Sequence, residues 1–198
     1  MFVVFEGIDG TGKTTLSKML AHFLAKRGIK TLWTREPYSP ELREFLLKTE
    51  LSPWEETFLF LADRGRHVRE LIKPKLEEGF TVVSDRFYLS TLAYQGFGRG
   101  LPLEELKNLN RKVTENLKPD LVFVLDLPPE EALKRSGKTG QSADRFEKLD
   151  FLKKVREGFL KLAEEEENTF LINAGENLHS VFGKVLKILD DRLSKSQA

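Results

Sequence analysis

The segment Gly7-Ile8-Asp9-Gly10-Thr11-Gly12-Lys13-Thr14 constrains this chain more than any other, because it spells a complete GxxxxGK(S/T) pattern at a strand-to-helix junction. Phe2-Val3-Val4-Phe5, just before it, is an apolar run of strand length. After Lys13, the apolar residues Leu16, Met19, Leu20, Phe23 and Leu24 recur at three- and four-residue steps, the spacing of one helix face. At such a junction glycines let successive backbone N–H groups turn inward around a polyphosphate, at the positive end of the helix dipole. Lys13 then meets the β and γ phosphates, and the Thr14 hydroxyl is placed to ligate Mg²⁺. A Gly-rich turn capped by Thr is the plain alternative, which the flanking strand and helix disfavour.

Further strand-like runs at 30–34, 81–84, 121–125 and 169–172 alternate with helical patterns, one of them reaching from about 55 to 78. This alternation predicts an α/β domain, a parallel sheet with helices on both faces, spanning 1–198 as one unit. Ligands in such sheets gather at the C-terminal ends of the strands. Residues 136–144 hold no apolar side chain larger than Ala and two glycines, and read as a mobile loop between helices. Residues 194–198 read as a frayed tail, and the acidic run 164–167 as a solvated helix end.

Composition removes several function classes. With 198 residues and 40% hydrophobic content the chain can bury its own core. Its 32 basic and 31 acidic residues leave a net charge of +1, so it has no global basic field to drive non-specific nucleic-acid binding. The absence of cysteine excludes disulfides, thiolate metal sites and thiol catalysis. No apolar run nears the ~20 residues of a membrane-spanning helix, and the N-terminus enters a strand without a basic segment or cleavage site. The expected location is the cytoplasm, away from membranes.

Two strand ends carry charge. Asp85 and Arg86 follow one apolar run, a placement suited to Mg²⁺ ligation by the carboxylate and phosphate binding by the guanidinium. Alone the pair reads slightly better as a strand-end salt bridge; beside a phosphate loop the functional reading is favoured. Asp126 closes another run, but it leads into Pro128-Pro129 and reads as a turn or structural residue.

With these residues in view, the chain resembles the thymidylate kinases over nearly its whole length. Phe5 to Thr15 is similar to that family's phosphate loop, Thr34-Arg35-Glu36-Pro37 to its second motif, and Phe58-Leu59-Phe60-Leu61-Ala62-Asp63-Arg64 to its thymine-contacting helix. Asp85-Arg86-Phe87, continued by Ser90-Thr91-Leu92-Ala93-Tyr94-Gln95-Gly96, resembles its Asp-Arg-aromatic motif, and the segment from Arg135 to Glu147 its lid.

The resemblance implies a P-loop NTPase fold with a five-stranded parallel sheet, and transfer of the ATP γ-phosphoryl group to dTMP with Mg²⁺. It implies that Gly7, Ile8, Asp9, Gly10, Thr11, Gly12, Lys13, Thr14 and Thr15 hold the nucleotide phosphates, and that Thr14 and Asp85 serve the metal. Phe60 would stack on thymine, Arg64 would donate to its O4, and Thr91 would face the Watson–Crick edge. Tyr94 would crowd the 2′ position, Asp9 would lie near the 3′-hydroxyl, and Arg86 would grip the monophosphate. Glu36, Pro37 and Gln95 complete the acceptor pocket. On the residues alone Phe60 reads equally as core, and Arg64 and Tyr94 as surface residues. A homodimer is also implied.

Two departures matter. Tyr38-Ser39-Pro40 stands where the family usually has Gly-Gly-Thr, which leaves contacts by Tyr38 or Arg43 open. Gly10 occupies a position where some members carry Arg, while Arg135, Lys138 and Arg145 lie in or beside the lid. That pattern resembles the bacterial subgroup that takes its catalytic cation from the lid, and makes Lys13, Arg86, Arg135 and Arg145 the expected catalytic cations. The rivals are a kinase of another nucleotide, a GTPase switch and a non-catalytic nucleotide-binding module. A GTPase normally needs an Asn-Lys-x-Asp segment, which this chain lacks, and the intact Lys13, Thr14, Asp85 and Arg86 argue against a silent module.

Overall fold

The computed structural model describes residues 1–137 and 142–195, and of residues 47, 142–147 and 193–195 the backbone alone. Its centre is a five-stranded parallel sheet in the order β2-β3-β1-β4-β5. The strands are β1 (Phe2–Glu6), β2 (Thr31–Arg35), β3 (Thr81–Asp85), β4 (Leu121–Asp126) and β5 (Thr169–Asn173). β1, in the middle, is buried along its whole length, as the continuous apolar run of a strand covered on both faces requires. All five expected strands are present, and each ends one residue later than its apolar run. The charged or polar closers Glu6, Arg35, Asp85, Asp126 and Asn173 belong to the ladder, with Arg35 opposite Asp85 and Asp126 opposite Asn173. Polar groups at the strand ends are thereby held to sheet precision.

Helices surround the sheet. They are α1 (Lys13–Lys26), α2 (Pro40–Lys48), α3 (Pro53–His67), α4 (Lys73–Glu77), α5 (Tyr88–Thr91), α6 (Leu103–Val113), α7 (Pro129–Ser136), α8 (Ser142–Glu165) and α9 (Leu178–Lys195). The single long helix expected over 55–78 is instead α3 and α4 joined by a π-helical segment, Val68–Ile72. α3 starts at a capping box in which Ser52 and Glu55 satisfy each other's backbone N–H groups, with Pro53 in the first turn. A second π-helical segment, Leu92–Gly98, follows α5. Such insertions re-aim a helix without ending it.

The loop expected over 136–144 is shorter than its composition suggested, because α8 begins at Ser142. Arg145 therefore stands in the first turn of α8, its side chain outside the described residues, as Lys138 is altogether. The acidic run at 164–167 is not simply solvated: Glu166 accepts the Tyr88 hydroxyl at 3.2 Å and Glu165 the Lys107 ammonium at 3.3 Å. Asp126 has the structural role expected, taking two hydrogen bonds from Arg156 of α8 at 2.6 and 2.9 Å. Of the frayed tail expected over 194–198, α9 claims the backbone to Lys195, and 196–198 lie outside the described residues.

α8 and the second π-helical segment are keyed together reciprocally. A Cβ at Gly98 would meet the Phe151 ring at 2.6 Å, and one at Gly158 would meet the Phe97 ring at the same distance. Each glycine is the socket for the other element's ring. Gly158→Ala should therefore lower stability by about 1–3 kcal/mol, although Ala favours a helix interior, because overpacking against a fixed ring outweighs helix propensity. Chemical denaturation of the two proteins measures this, and equal midpoints would contradict it.

Candidate active site

The phosphate loop lies between β1 and α1, at the C-terminal edge of the sheet. Gly7, Gly10 and Gly12 all have positive φ, from 90° to 134°. Gly10 is doubly constrained, since a Cβ there would come within 2.1 Å of the Ala132 carbonyl of α7, whereas one at Gly12 would meet open space. Packing against α7 thus leaves no room for a side chain at Gly10 unless the α7 backbone moves. Inside the loop the Thr11 hydroxyl and the Lys13 ammonium both donate to the Ile8 carbonyl, at 2.9 and 2.7 Å. Thr15 is exposed on α1.

Burial lowers the Lys13 pKa to about 7, with Arg86 adding to the effect and Asp9, Asp85 and Glu6 opposing it. Its ammonium is 3.9 Å from Asp9. The Thr14 hydroxyl donates to Asp85 Oδ2 at 2.5 Å, while Asp85 Oδ1 is buried without a hydrogen-bond partner. An orphaned carboxylate oxygen beside a hydroxyl fits a hard divalent cation whose other ligands are phosphate and water. Among the described residues no group of three His, Cys, Asp or Glu side chains could hold a metal unaided.

Arg86 is the strained residue at the end of β3, with φ of 80°. The conformation is held from below by Glu6, fully buried, which accepts from Phe87 N at 2.8 Å, Ser90 N at 3.2 Å and Ser90 Oγ at 2.5 Å. The guanidinium is thereby aimed at the phosphate loop, where it donates to the Gly7 carbonyl at 3.1 Å and to Asp9 at 2.6 Å. It also stands 5.2 Å from the centre of the Tyr94 ring.

From there a cleft of about 390 Å³ opens between α3, the end of β2 and the second π-helical segment. On α3, Glu56, Phe60 and Arg64 follow at four-residue steps and line the same wall. Pro37, Thr91, Tyr94 and Gln95 line it too. Arg64 is nearly sealed, and each of its N–H groups has a partner: Nε and Nη2 on Glu36 at 2.9 and 2.6 Å, Nη2 on the Phe87 carbonyl at 3.1 Å, Nη1 on Thr91 and Asn110 at 2.8 and 2.6 Å. A guanidinium has five N–H groups, so this set saturates it.

Behind Arg64, the buried His67 bridges Thr34 at 2.7 Å and Glu36 at 3.3 Å, with Tyr38 stacked on its face. Burial raises the Glu36 carboxyl, but Arg64 and His67 outweigh it and hold it below the usual carboxylate range. Asp63 accepts from Tyr38 N and Ser39 N, at 2.5 and 2.9 Å, and so anchors the segment that departs from the Gly-Gly-Thr pattern.

Two cleft residues were not assigned from sequence. Arg35 and Arg43 line it, each with a buried Nε that has no hydrogen-bond partner, and Arg43 donates through Nη2 to the Pro37 carbonyl at 2.7 Å. For Arg35 a signal existed, a charged residue closing a strand as Asp85 does. Arg135 stands apart from these groups, donating to the Ala174 carbonyl beyond β5 at 2.7 Å.

The sheet order, phosphate loop and cleft invite comparison with known proteins. The family model for thymidylate kinase matches residues 5–185. The chain belongs to the thymidylate kinase family. It is 48% identical over 187 residues to the thymidylate kinase of Desulfovibrio desulfuricans, covering 87% of this chain and 86% of that one. It is 42% identical over 202 residues to that of Pelotomaculum thermopropionicum, covering 97% and 94%. The crystal structure of thymidylate kinase from Ehrlichia chaffeensis superposes with a TM-score of 0.81 at 32% identity, covering 96% of this chain and 98% of that one. Among the described residues of this family member no helix is long and apolar enough to cross a membrane.

The two loop glycines make contrasting predictions. At Gly12 an alanine meets only the cost of a positive φ, about 1–2 kcal/mol. At Gly10 it must also displace the α7 backbone, so Gly10→Ala should cost clearly more than Gly12→Ala in thermal unfolding. Equal losses would mean that α7 yields freely.

Proposed function

We infer that this chain transfers the γ-phosphoryl group of ATP to dTMP, giving dTDP and ADP. Family membership supports the reaction, and the observation that carries the assignment of the site is Arg86, which bonds to the phosphate loop and lines the cleft that also holds Phe60, Arg64 and Tyr94. In this reading Lys13 and the loop backbone from Gly7 to Thr15 hold the ATP phosphates. Phe60 offers a face for stacking on thymine, Tyr94 limits the space beside the sugar, and Asp9 faces its 3′ side. Arg86 grips the acceptor phosphate, and the free Nε donors of Arg35 and Arg43 support a contribution from them.

No general base is needed, because the attacking phosphate oxygen is already ionised near neutral pH and catalysis rests on alignment and charge. Thr14 and Asp85 are the residues that would hold Mg²⁺, which when bound neutralises charge on the β and γ phosphates. Arg135 and Arg145 are read as lid cations, the former exchanging its contact with Ala174 for the transferring group. For base reading, Arg64 donates to O4 with the Nη1 proton that it now gives Thr91, and Gln95 presents its amide oxygen to N3–H. A cytoplasmic homodimer without nucleic-acid partners belongs to the same reading; the exposed Phe58, stacked on Trp54, supports an apolar contact surface.

The direct test is coupled ADP release with ATP and each of dTMP, dUMP, UMP, dCMP and AMP. The expected outcome is highest kcat/KM on dTMP and little turnover of AMP; a preference for another monophosphate would overturn the assignment.

Lys13 adds a pH signature. With a pKa of about 7 in the free protein, it is mostly neutral at pH 8, and polyphosphate restores its charge. ATP binding should therefore weaken as pH rises above 7, and near pH 8 it should take up close to one proton. Calorimetry in buffers of different ionisation enthalpy measures the uptake, which Lys13→Ala should abolish together with about a hundredfold or more of turnover.

A further inference from the structure

Gln95 carries an ambiguity that its own chemistry does not resolve. A primary amide has an acceptor oxygen on one side and a two-proton donor on the other, of nearly equal size and shape. Turned one way, it matches a base edge that donates at N3. Turned the other way, it matches one that accepts there.

The structure resolves the ambiguity through α3. Gln95 is almost fully buried, at 4% exposure, and its Nε2 donates to Glu56 Oε2 at 3.1 Å. An ionised carboxylate only accepts, so it admits the NH₂ side of the amide and repels the oxygen. With Nε2 engaged by Glu56, Oε1 is the end of the amide left for the cleft that Gln95 lines. Glu56 lines the same wall as Phe60 and Arg64, one and two helical steps away. It needs no contact with the base to act, because burial leaves the amide few orientations.

We propose that Glu56 is a positioning residue that sets base specificity through Gln95, holding the amide so that it accepts from an N3–H edge and rejects cytosine, whose N3 is an acceptor. This rests on the reading of the cleft as a thymidylate site. The effect on specificity is subtractive as well as additive: dCMP would set two acceptors against each other inside a buried wall, and such unpaired polar contacts discriminate more strongly than lost apolar contact.

The test compares steady-state kinetics of wild type, E56Q, Q95A and E56Q/Q95A on dTMP, dUMP and dCMP at saturating ATP. The glutamine at 56 offers its neighbour either a donor or an acceptor, so Gln95 is free to turn. In E56Q the dTMP-to-dCMP ratio of kcat/KM should narrow by about tenfold, through a raised KM for dTMP and a lowered KM for dCMP, with kcat on dTMP little changed. The dTMP-to-dUMP ratio should hold, because uracil presents the same edge. E56D, which keeps the carboxylate, should recover part of the discrimination. In the Q95A background the E56Q change should have no further effect on the ratio, the signature of one residue acting through another. Thermal midpoints verify that each variant is folded.

An unchanged dTMP-to-dCMP ratio in folded E56Q overturns the proposal, as does an E56Q effect of equal size with and without Gln95. A wild-type protein that does not favour dTMP over dCMP would instead overturn the thymidylate reading itself, before any variant is compared.

Discussion

A carboxylate sealed inside the protein, Glu6, is the constraint on which the rest of the cleft depends. It closes the central strand, where a charge is costly unless it is paired and hydrogen-bonded. Its bonds to Phe87 and Ser90 meet that demand, and in doing so they fold the chain after β3 tightly enough to hold Arg86 at positive φ. Arg86 then returns to Gly7 and Asp9. Burial raises Glu6 to about 7 against the pull of Arg86, Ser90, Phe87 and Arg64. The phosphate loop and the cleft beside it are thus two sides of one closed circuit of hydrogen bonds running between adjacent strands.

The two π-helical segments carry this circuit outward. One lies in the helix whose N-terminal part forms a wall of the cleft, and the other carries Tyr94 and Gln95 on the opposite side. Tyr94 sits between Arg86 and the aromatic residues Phe151 and Phe159 of α8, with ring centres 6.2 Å apart in both pairs. The ring-and-glycine keying of Phe97 and Phe151 keeps α8 in register with that segment. The cleft residues Tyr94 and Gln95 and helix α8 are therefore parts of one packed unit.

Much of this was legible in the sequence, for identifiable reasons. The phosphate loop could be read because its glycines, lysine and threonine are demanded by backbone geometry and charge at fixed spacing. The strands could be read because a sheet covered on both faces needs unbroken apolar runs. Asp85 and Asp126 could be read as strand ends, but Glu6, Arg35 and Asn173 were left off their strands because they look like loop residues until the sheet supplies their partners. His67, Asn110 and Asp63 were given no role because their partners come from distant parts of the chain and leave no local pattern. The π-helical segment Val68–Ile72 was invisible because the apolar pattern over 55–78 reads as one helix. Family resemblance selected Phe60, Arg64 and Tyr94; it did not reveal that Arg64 is already saturated.

That saturation bears on how the protein can change over evolutionary time. The partners of Arg64 come from the end of β2, from α5, from α6 and from the backbone after β3, so no single substitution elsewhere can compensate for its loss. Lysine has one nitrogen and cannot span them, and a neutral residue would leave the buried Glu36 with His67 as its remaining side-chain partner. Escape from this arrangement requires several simultaneous replacements, each harmful alone. Selection on substrate choice is therefore directed away from Arg64 and toward side chains with a single partner, which can drift one step at a time.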